Sequence, residues 1–260
     1  ESVVRVPNGT HLVNHPAAYG IVGYVSHHRI VVKIGSNILL SQSSVDTGLF
    51  DELFKELAHL QKVGWAPLLV LSGAVATGKL LTQLKTKQAE AAVGQLTLLT
   101  ALQPLAVRQG VATALLLLSR EDILNRDRYE TLRDTLDDLI DHEVVPILNE
   151  NDATSLTDTP DFRDNDHLAT IIAMMVEAKR LVLLTDVDGV FSQDPRLHNN
   201  STVIPEIENI NLEIIKRLAH GKSLVGRGGM AGKLTAARMA TAAGITTHIM
   251  NGTVLSRLTD

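Results

Sequence analysis

Three stretches of this sequence combine glycine with lysine in a way that suits a phosphate. "KIGSN" (33–37) follows an apolar run, so Lys33 ends a strand and Gly35-Ser36 turns the backbone with its N–H groups exposed. "SGAVATGK" (72–79) follows a second apolar run. "GRGGMAGK" (226–233) opens a helical pattern and contains Arg227, Gly228, Gly229, Met230, Ala231, Gly232 and Lys233. Glycine brings bare amides close to an anion, and a helix N-terminus adds a favourable dipole. Each loop alone also reads as an ordinary turn beside a solvated lysine. Three together, with four glycines crowded into the last, point to phosphate chemistry.

Two acidic clusters accompany them, "ILNENDA" (147–153) and "FRDNDHLA" (162–169). Asp164 or Asp166 reads as a helix cap. One cap is all a helix needs. Two aspartates and Asn165 in one turn, with Asn149, Asn151 and Asp152 nearby, exceed that need. Carboxylates beside carboxamides suit a substrate bearing an ammonium group and can orient catalytic lysines.

Several imitations have to be set aside. Residues 73–80 nearly satisfy the P-loop pattern G-x-x-x-x-G-K-[ST], but Leu80 stands where the magnesium-holding hydroxyl belongs. Asp186, after an apolar run, would be the acid of such a site. Asp186-Val187-Asp188-Gly189-Val190 also imitates the nucleophile motif of haloacid-dehalogenase-type phosphatases, yet it comes late in the chain rather than on a first strand. "NRD" (125–127) and "DFR" (161–163) miss the protein-kinase motifs.

Composition narrows the classes further. The 260 residues suit one large domain or two lobes sharing a sheet. The net charge of −5 and the 3% aromatic content offer neither a basic surface nor stacking platforms, so no nucleic-acid partner is expected. With no cysteine there is no disulfide, thiolate zinc site or cysteine nucleophile. His11 and His15 lie four apart without a helical pattern, and no metal held by protein side chains is expected. No apolar run reaches membrane-spanning length and residues 1–29 lack a signal-peptide core, so a cytoplasmic protein without a membrane partner is expected.

The elements that must position these residues alternate. Strands are expected at 30–34, 68–71, 112–118 (buried), 144–148, 181–184 and 245–250. Helices are expected over a stripe at 49–60 capped by Asp46 or Thr47, at 88–109 through Pro104, from a Ser119–Asp122 capping box to about 142, and at 166–178, 212–220 and 232–243. This predicts an α/β fold, a three-layer αβα sandwich with a mostly parallel central sheet. Such sheets bind ligands beyond the carboxyl ends of their strands.

Taken in order, "VVKIGSN" (31–37), "LSGAVATGK" (71–79), "AAVGQ" (91–95), "RDTL" (133–136), "VVPILNENDA" (144–153), "DNDHLA" (164–169), "LLTDVDGVFSQDP" (183–195) and "GRGGMAGKLTAA" (226–237) resemble the amino acid kinase family. "NENDA" followed by "DNDHLA" resembles its glutamate-phosphorylating branch. The resemblance implies transfer of the γ-phosphoryl of ATP, with Mg²⁺, to the γ-carboxylate of L-glutamate, the first step of proline biosynthesis. It also implies a homo-oligomer and proline as a feedback inhibitor. Lys33, Lys233 and Asp166 would be catalytic. Ser72, Gly73, Ala74, Asn149, Asp152, Asp164 and Asn165 would hold the amino acid. Lys33, Gly35, Thr185, Asp186 and the 227–233 loop would hold the nucleotide. The domain would span 30–260, with a substrate lobe over about 30–179 and a nucleotide lobe over about 180–260. Residues 1–29 would be an extension, and no C-terminal RNA-binding-type (PUA) or reductase domain is expected. This chain departs from the family at Arg227 and Gly232, where hydroxyl residues are usual, and in a shortened stretch between Gly78 and Ala91. The alternatives are a kinase of the same fold acting on N-acetylglutamate or aspartate, a non-catalytic ATP or amino-acid sensor, and a P-loop ATPase centred on Lys79.

Overall fold

Apolar runs and helical stripes alternate along the chain, and the structure, a computed structural model, converts that alternation into layers. It describes residues 12–14, 22–24, 28–41, 44–155, 162, 164–195, 197–219 and 229–258. A short antiparallel hairpin, β1 (Leu12–Asn14) with β2 (Val22–Tyr24), comes first; His11 and His15 lie outside the described residues. The order is then β3 (His28–Ile34), α1 (Ser36–Leu39), β4 (Leu40–Ser41), β5 (Ser44–Val45), α2 (Thr47–Lys62), β6 (Trp65–Val70), α3 (Ala74–Leu81), α4 (Lys87–Arg108) and β7 (Thr113–Leu118). It continues with α5 (Arg120–Leu124), α6 (Arg126–Asp141), β8 (Val145–Glu150), α7 (Asn165–Met175), β9 (Arg180–Thr185), α8 (Leu212–Leu218), α9 (Gly229–Ala242) and β10 (Thr246–Asn251).

The main sheet has the order β10-β9-β3-β6-β8-β7, and every pairing in it is parallel. Parallel crossovers are right-handed, so the direction of travel chooses the face each helix covers. Moving outward from β3 to β6 and on to β7, the chain lays α2 and α4 on one face. Returning through β8, β9 and β10, it lays α6, α7 and α9 on the other. The two cores follow this division. Ile30, Val32 and Ile34 pack with Phe50, Leu53, Phe54 and Leu57 of α2 and Leu102 of α4. Val31, Leu68 and Leu181 pack with Leu136 of α6, Leu168 and Ile172 of α7 and Ala236 of α9. The connections leaving the neighbours β3 and β9 run in opposite directions, to β6 and to β10, so the crevice at their carboxyl ends is the place for a ligand.

The period of two also places the first lysine. Lys33 shares its strand face with Val31, so its side chain goes to the α7–α9 layer.

Three expectations need correction. Residues 74–81, read as part of a glycine loop, form helix α3. Its glycine serves contact with α4: a Cβ on Gly78 would overlap the Glu90 carbonyl oxygen, and one on Gly94 the Ala74 carbonyl oxygen. The strand at 113–118 is not buried but is the sheet edge, with Leu115 and Leu117 exposed. The single helix expected to about 142 breaks at Asn125, whose backbone is extended and whose side-chain Oδ1 caps α6 by accepting from the Arg128 N–H at 3.1 Å. The Ser119–Asp122 box does form at the start of α5, where the Ser119 N–H donates to the Asp122 carboxylate at 2.6 Å. Asp46 caps α2, accepting from the Leu49 N–H.

The α3–α4 contact is testable. Gly78→Ala forces two backbones apart and is expected to destabilise the protein by about 1–3 kcal/mol. Equilibrium denaturation measures this, and an unchanged midpoint would contradict the close packing.

Candidate functional site

A cleft of about 970 Å³ opens at the carboxyl ends of β3, β6, β8 and β9. Lys33 enters it from the end of β3, Asp166 from the first turn of α7 and Lys233 from the first turn of α9. Asp166 is 1% exposed, and both lysines are buried. The Lys33 Nζ lies 2.8 Å from Asp166 Oδ1. The Lys233 Nζ donates to both Asp166 oxygens at 3.1 Å. One carboxylate thus registers two ammonium groups, and the three side chains together keep one positive charge.

The charges are held against their surroundings. Burial pushes the Asp166 carboxyl up, but the fields of Lys33 and Lys233 and their hydrogen bonds outweigh it, leaving its pKa below the ordinary carboxylate value. Burial, aided by Lys33, pulls the Lys233 ammonium below the ordinary lysine value against the opposing pull of Asp166.

Around this pole the cleft has two kinds of wall. Ser72, Gly73, Ala74, Asp152, Asp164 and Asn165 line one part, with Glu150 beside them. Gly73 has φ +89°, a left-handed turn that starts α3 and that glycine adopts without strain. Asp164 is the cap of α7, accepting from the His167 N–H at 2.9 Å, so Asp166 is free for the lysines. Gly35, Thr185, Asp186, Gly229 and Lys233 line the other part. Thr185 donates to Asp186 at 3.2 Å, and Asn37 donates to the other Asp186 oxygen at 3.4 Å.

Several expected residues stand elsewhere. Asn149 is fully buried and does not line the cleft; it stands behind Asn165, whose Nδ2 donates to it at 3.1 Å. Met230 packs with Val190, Ile215 and Leu234, and Ala231 is buried, so neither lines the cleft. Arg227 and Gly228 lie outside the described residues. Gly232 packs closely, since a Cβ there would come within 2.6 Å of an Asp164 carboxylate oxygen. A hydroxyl residue at 232 therefore requires Asp164 to move. Lys79 is exposed on α3 at the rim of the cleft and takes no part in the buried charge cluster. Asn37 and Glu150 were missed, although each adjoins a motif already singled out. Asn37 ends "KIGSN", and Glu150 sits between Asn149 and Asn151.

The pattern of the Amino acid kinase family matches residues 28–251. A glutamate 5-kinase from Geobacter sp. (strain M21) is 38% identical over 232 residues, covering 86% of this chain and 62% of that protein. One from Shewanella amazonensis is 41% identical over 235 residues, covering 87% and 62%. This chain thus spans less than two thirds of the length of these relatives. Among solved structures, carbamate kinase from Giardia lamblia bound to AMP-PNP superposes with a TM-score of 0.64 at 16% identity, covering 90% of this chain and 96% of that one. That likeness shows the fold.

Proposed function

This chain belongs to the amino acid kinase family, and from that premise we propose that it transfers the γ-phosphoryl group of ATP to the γ-carboxylate of L-glutamate. The observation that carries the reading is the buried Lys33–Asp166–Lys233 cluster facing a cleft with an acid- and amide-rich wall on one side and a glycine-rich helix start on the other. In this reaction a γ-carboxylate oxygen attacks the γ-phosphorus, the bond from that phosphorus to the β–γ bridging oxygen breaks, and ADP leaves with that oxygen. The carboxylate is already ionised at neutral pH, so no general base is required. The difficulty is the approach of two anions, and positive groups and amides fixed in advance must absorb the charge.

In this reading Lys33 contacts the transferring phosphoryl and Lys233 the nucleotide phosphates, while Asp166 holds both lysines. Ser72, Asp152 and Asn165 contact glutamate, with Gly73 and Ala74 shaping the turn beneath it and Asp164 close by. Gly35, Thr185, Asp186 and the helix start at Gly229 hold the nucleotide, and Arg227 and Gly228 belong to the same loop. Among the described residues no three acidic or histidine groups converge on a metal position. In the proposed reaction Mg²⁺ would be carried on the nucleotide phosphates, where it would neutralise charge. The substrate lobe corresponds to about 30–179 and the nucleotide lobe to about 180–260. The exposed apolar side chains of Leu115 and Leu117 on the edge strand support a homo-oligomer. No described helix is long and apolar enough to cross a membrane. Proline inhibition and a cytoplasmic location remain part of the proposal.

ADP release with a panel of acidic amino acids tests the assignment. Glutamate is expected to stimulate release, while aspartate and N-acetylglutamate are not. Stimulation by either of the others instead would keep the phosphoryl transfer and overturn the substrate.

A further inference from the structure

The motif "AAVGQ" on α4 does not line the cleft, and its last residue is unusual. Gln95 sits in the buried stripe Ala91, Leu98, Leu102, Leu105 of α4, where an apolar side chain is the ordinary choice. It is buried, and its Oε1 accepts from the Nδ2 of the fully buried Asn149 at 2.8 Å. Asn149 Oδ1 in turn accepts from the backbone N–H of Glu150 at 2.9 Å and from Asn165 Nδ2 at 3.1 Å.

The order of atoms in this chain of amides is forced. A backbone N–H can only donate, so the end of Asn149 facing it must be the oxygen. The nitrogen of Asn149 then faces α4, and Gln95 must meet it with an oxygen. Asn165 must meet the Asn149 oxygen with its nitrogen. That leaves Asn165 Oδ1, which is buried and has no hydrogen-bond partner among the described residues, as the atom Asn165 can offer at the cleft wall. Gly94 fixes the height of Gln95, because it lets α4 rest on the first turn of α3 at Ala74.

We propose that Gln95 is a positioning residue for the amino-acid half of the site: through Asn149 it holds Asn165 with its carbonyl oxygen toward the substrate's ammonium group. Without the acceptor on Gln95, Asn149 keeps a buried donor with no partner; the Glu150 N–H still bars it from turning over, so its side chain shifts and the brace behind Asn165 loosens. Asn165, less firmly braced, would then present its carbonyl oxygen poorly to the ammonium. A small shift of the Asn165 side chain on binding opens its oxygen to the substrate. The proposal rests on the reading of the cleft as an amino-acid kinase site and adds a residue that holds its amide wall in place.

The test compares wild type, Gln95→Met and Gln95→Glu in the full chain, using glutamate as substrate and glutarate, which lacks the amino group, as competitor. Gln95→Met is expected to raise the KM for glutamate about tenfold, the value of one hydrogen bond to a charged group. The KM for ATP and the inhibition constant of glutarate should stay at their wild-type values. Gln95→Glu keeps an acceptor toward Asn149 and should return the KM close to wild type; Gln95→Leu replaces the methionine variant if that fails to fold. Combined with Asn165→Ala, Gln95→Met should add no further loss, because both act on one contact. An equal rise for glutamate and glutarate, or additive losses in the double variant, would reduce Gln95 to a packing role and overturn the proposal. So would an unchanged Gln95→Met enzyme. A wild type that releases no ADP with glutamate would overturn the activity reading instead, which separates the two failures.

Discussion

Lys33→Met is expected to lower kcat by a factor on the order of 10²–10³, the usual cost of removing one preorganised group that stabilises charge in the transition state. The fold survives, because Asp166 keeps both of its contacts to Lys233. The loss therefore appears in kcat while denaturant unfolding stays close to wild type. The expectation follows from the arrangement. Lys33 lies on a central strand, between β6 and β9, and its partner Asp166 holds it against the cleft wall. Removing it takes the buried cluster from one positive charge to none. Lys79→Ala serves as the contrast. Lys79 is exposed at the rim, on a helix whose glycine packs against α4, and its loss should leave kcat near wild type. A large effect at Lys79 with little at Lys33 would revive the P-loop reading. The same geometry sets the alkaline limb of kcat/KM. Lys233 sheds its proton at a lower pH than an ordinary lysine, so the rate should fall as pH rises through that lowered value.

Asp166→Asn is expected to be the most destabilising single change in the site. It leaves two buried ammonium groups beside each other without their bridging carboxylate, only Asp164 still offsetting Lys233, and breaking a buried pair in this way costs about 3–5 kcal/mol. Chemical denaturation at neutral pH measures it. The pH dependence gives a second readout. The Asp166 carboxyl has a folded-state pKa below its ordinary value. Its contribution is therefore fully present above the ordinary carboxylate range and is lost as pH falls through the folded value. Asp166→Asn should remove that acid-side loss and flatten the stability curve there. A variant as stable as wild type at neutral pH would show that the lysines do not depend on this carboxylate.

Much of the site could be read from residue order because strand period and loop position are local. The alternation Val31-Val32-Lys33 puts the lysine on the α7 face without any knowledge of α7. The turn "DNDH" announces more acid than a cap requires, but only the structure assigns the jobs, with Asp164 on the His167 N–H and Asp166 on the lysines. The misread elements depended on partners distant in sequence. Gly78 looks like a loop residue until α4 is laid against it. The run "TALLLL" looks buried until its strand is placed at the sheet edge, where half of its side chains have no covering layer. The helix after Ser119 breaks because Asn125 can cap a new one, although the apolar stripe continues through the junction. Gln95 did carry a local signal, a lone amide in an apolar stripe. Its partner Asn149 lies on another element, so the signal had no meaning until β8 was placed beside α4.

If phosphate moves onto a carboxylate, with Lys33 at the point of transfer, the first product is an acyl phosphate. Hydroxylamine traps an acyl phosphate as a hydroxamate, so the decisive measurement is ATP- and Mg²⁺-dependent hydroxamate formation from L-glutamate, with wild type and Lys33→Met side by side. Hydroxamate is expected from wild type with glutamate, none with aspartate or N-acetylglutamate, and a loss on the order of a hundredfold or more in Lys33→Met. ADP released without hydroxamate, or hydroxamate formed undiminished by Lys33→Met, would contradict this transfer.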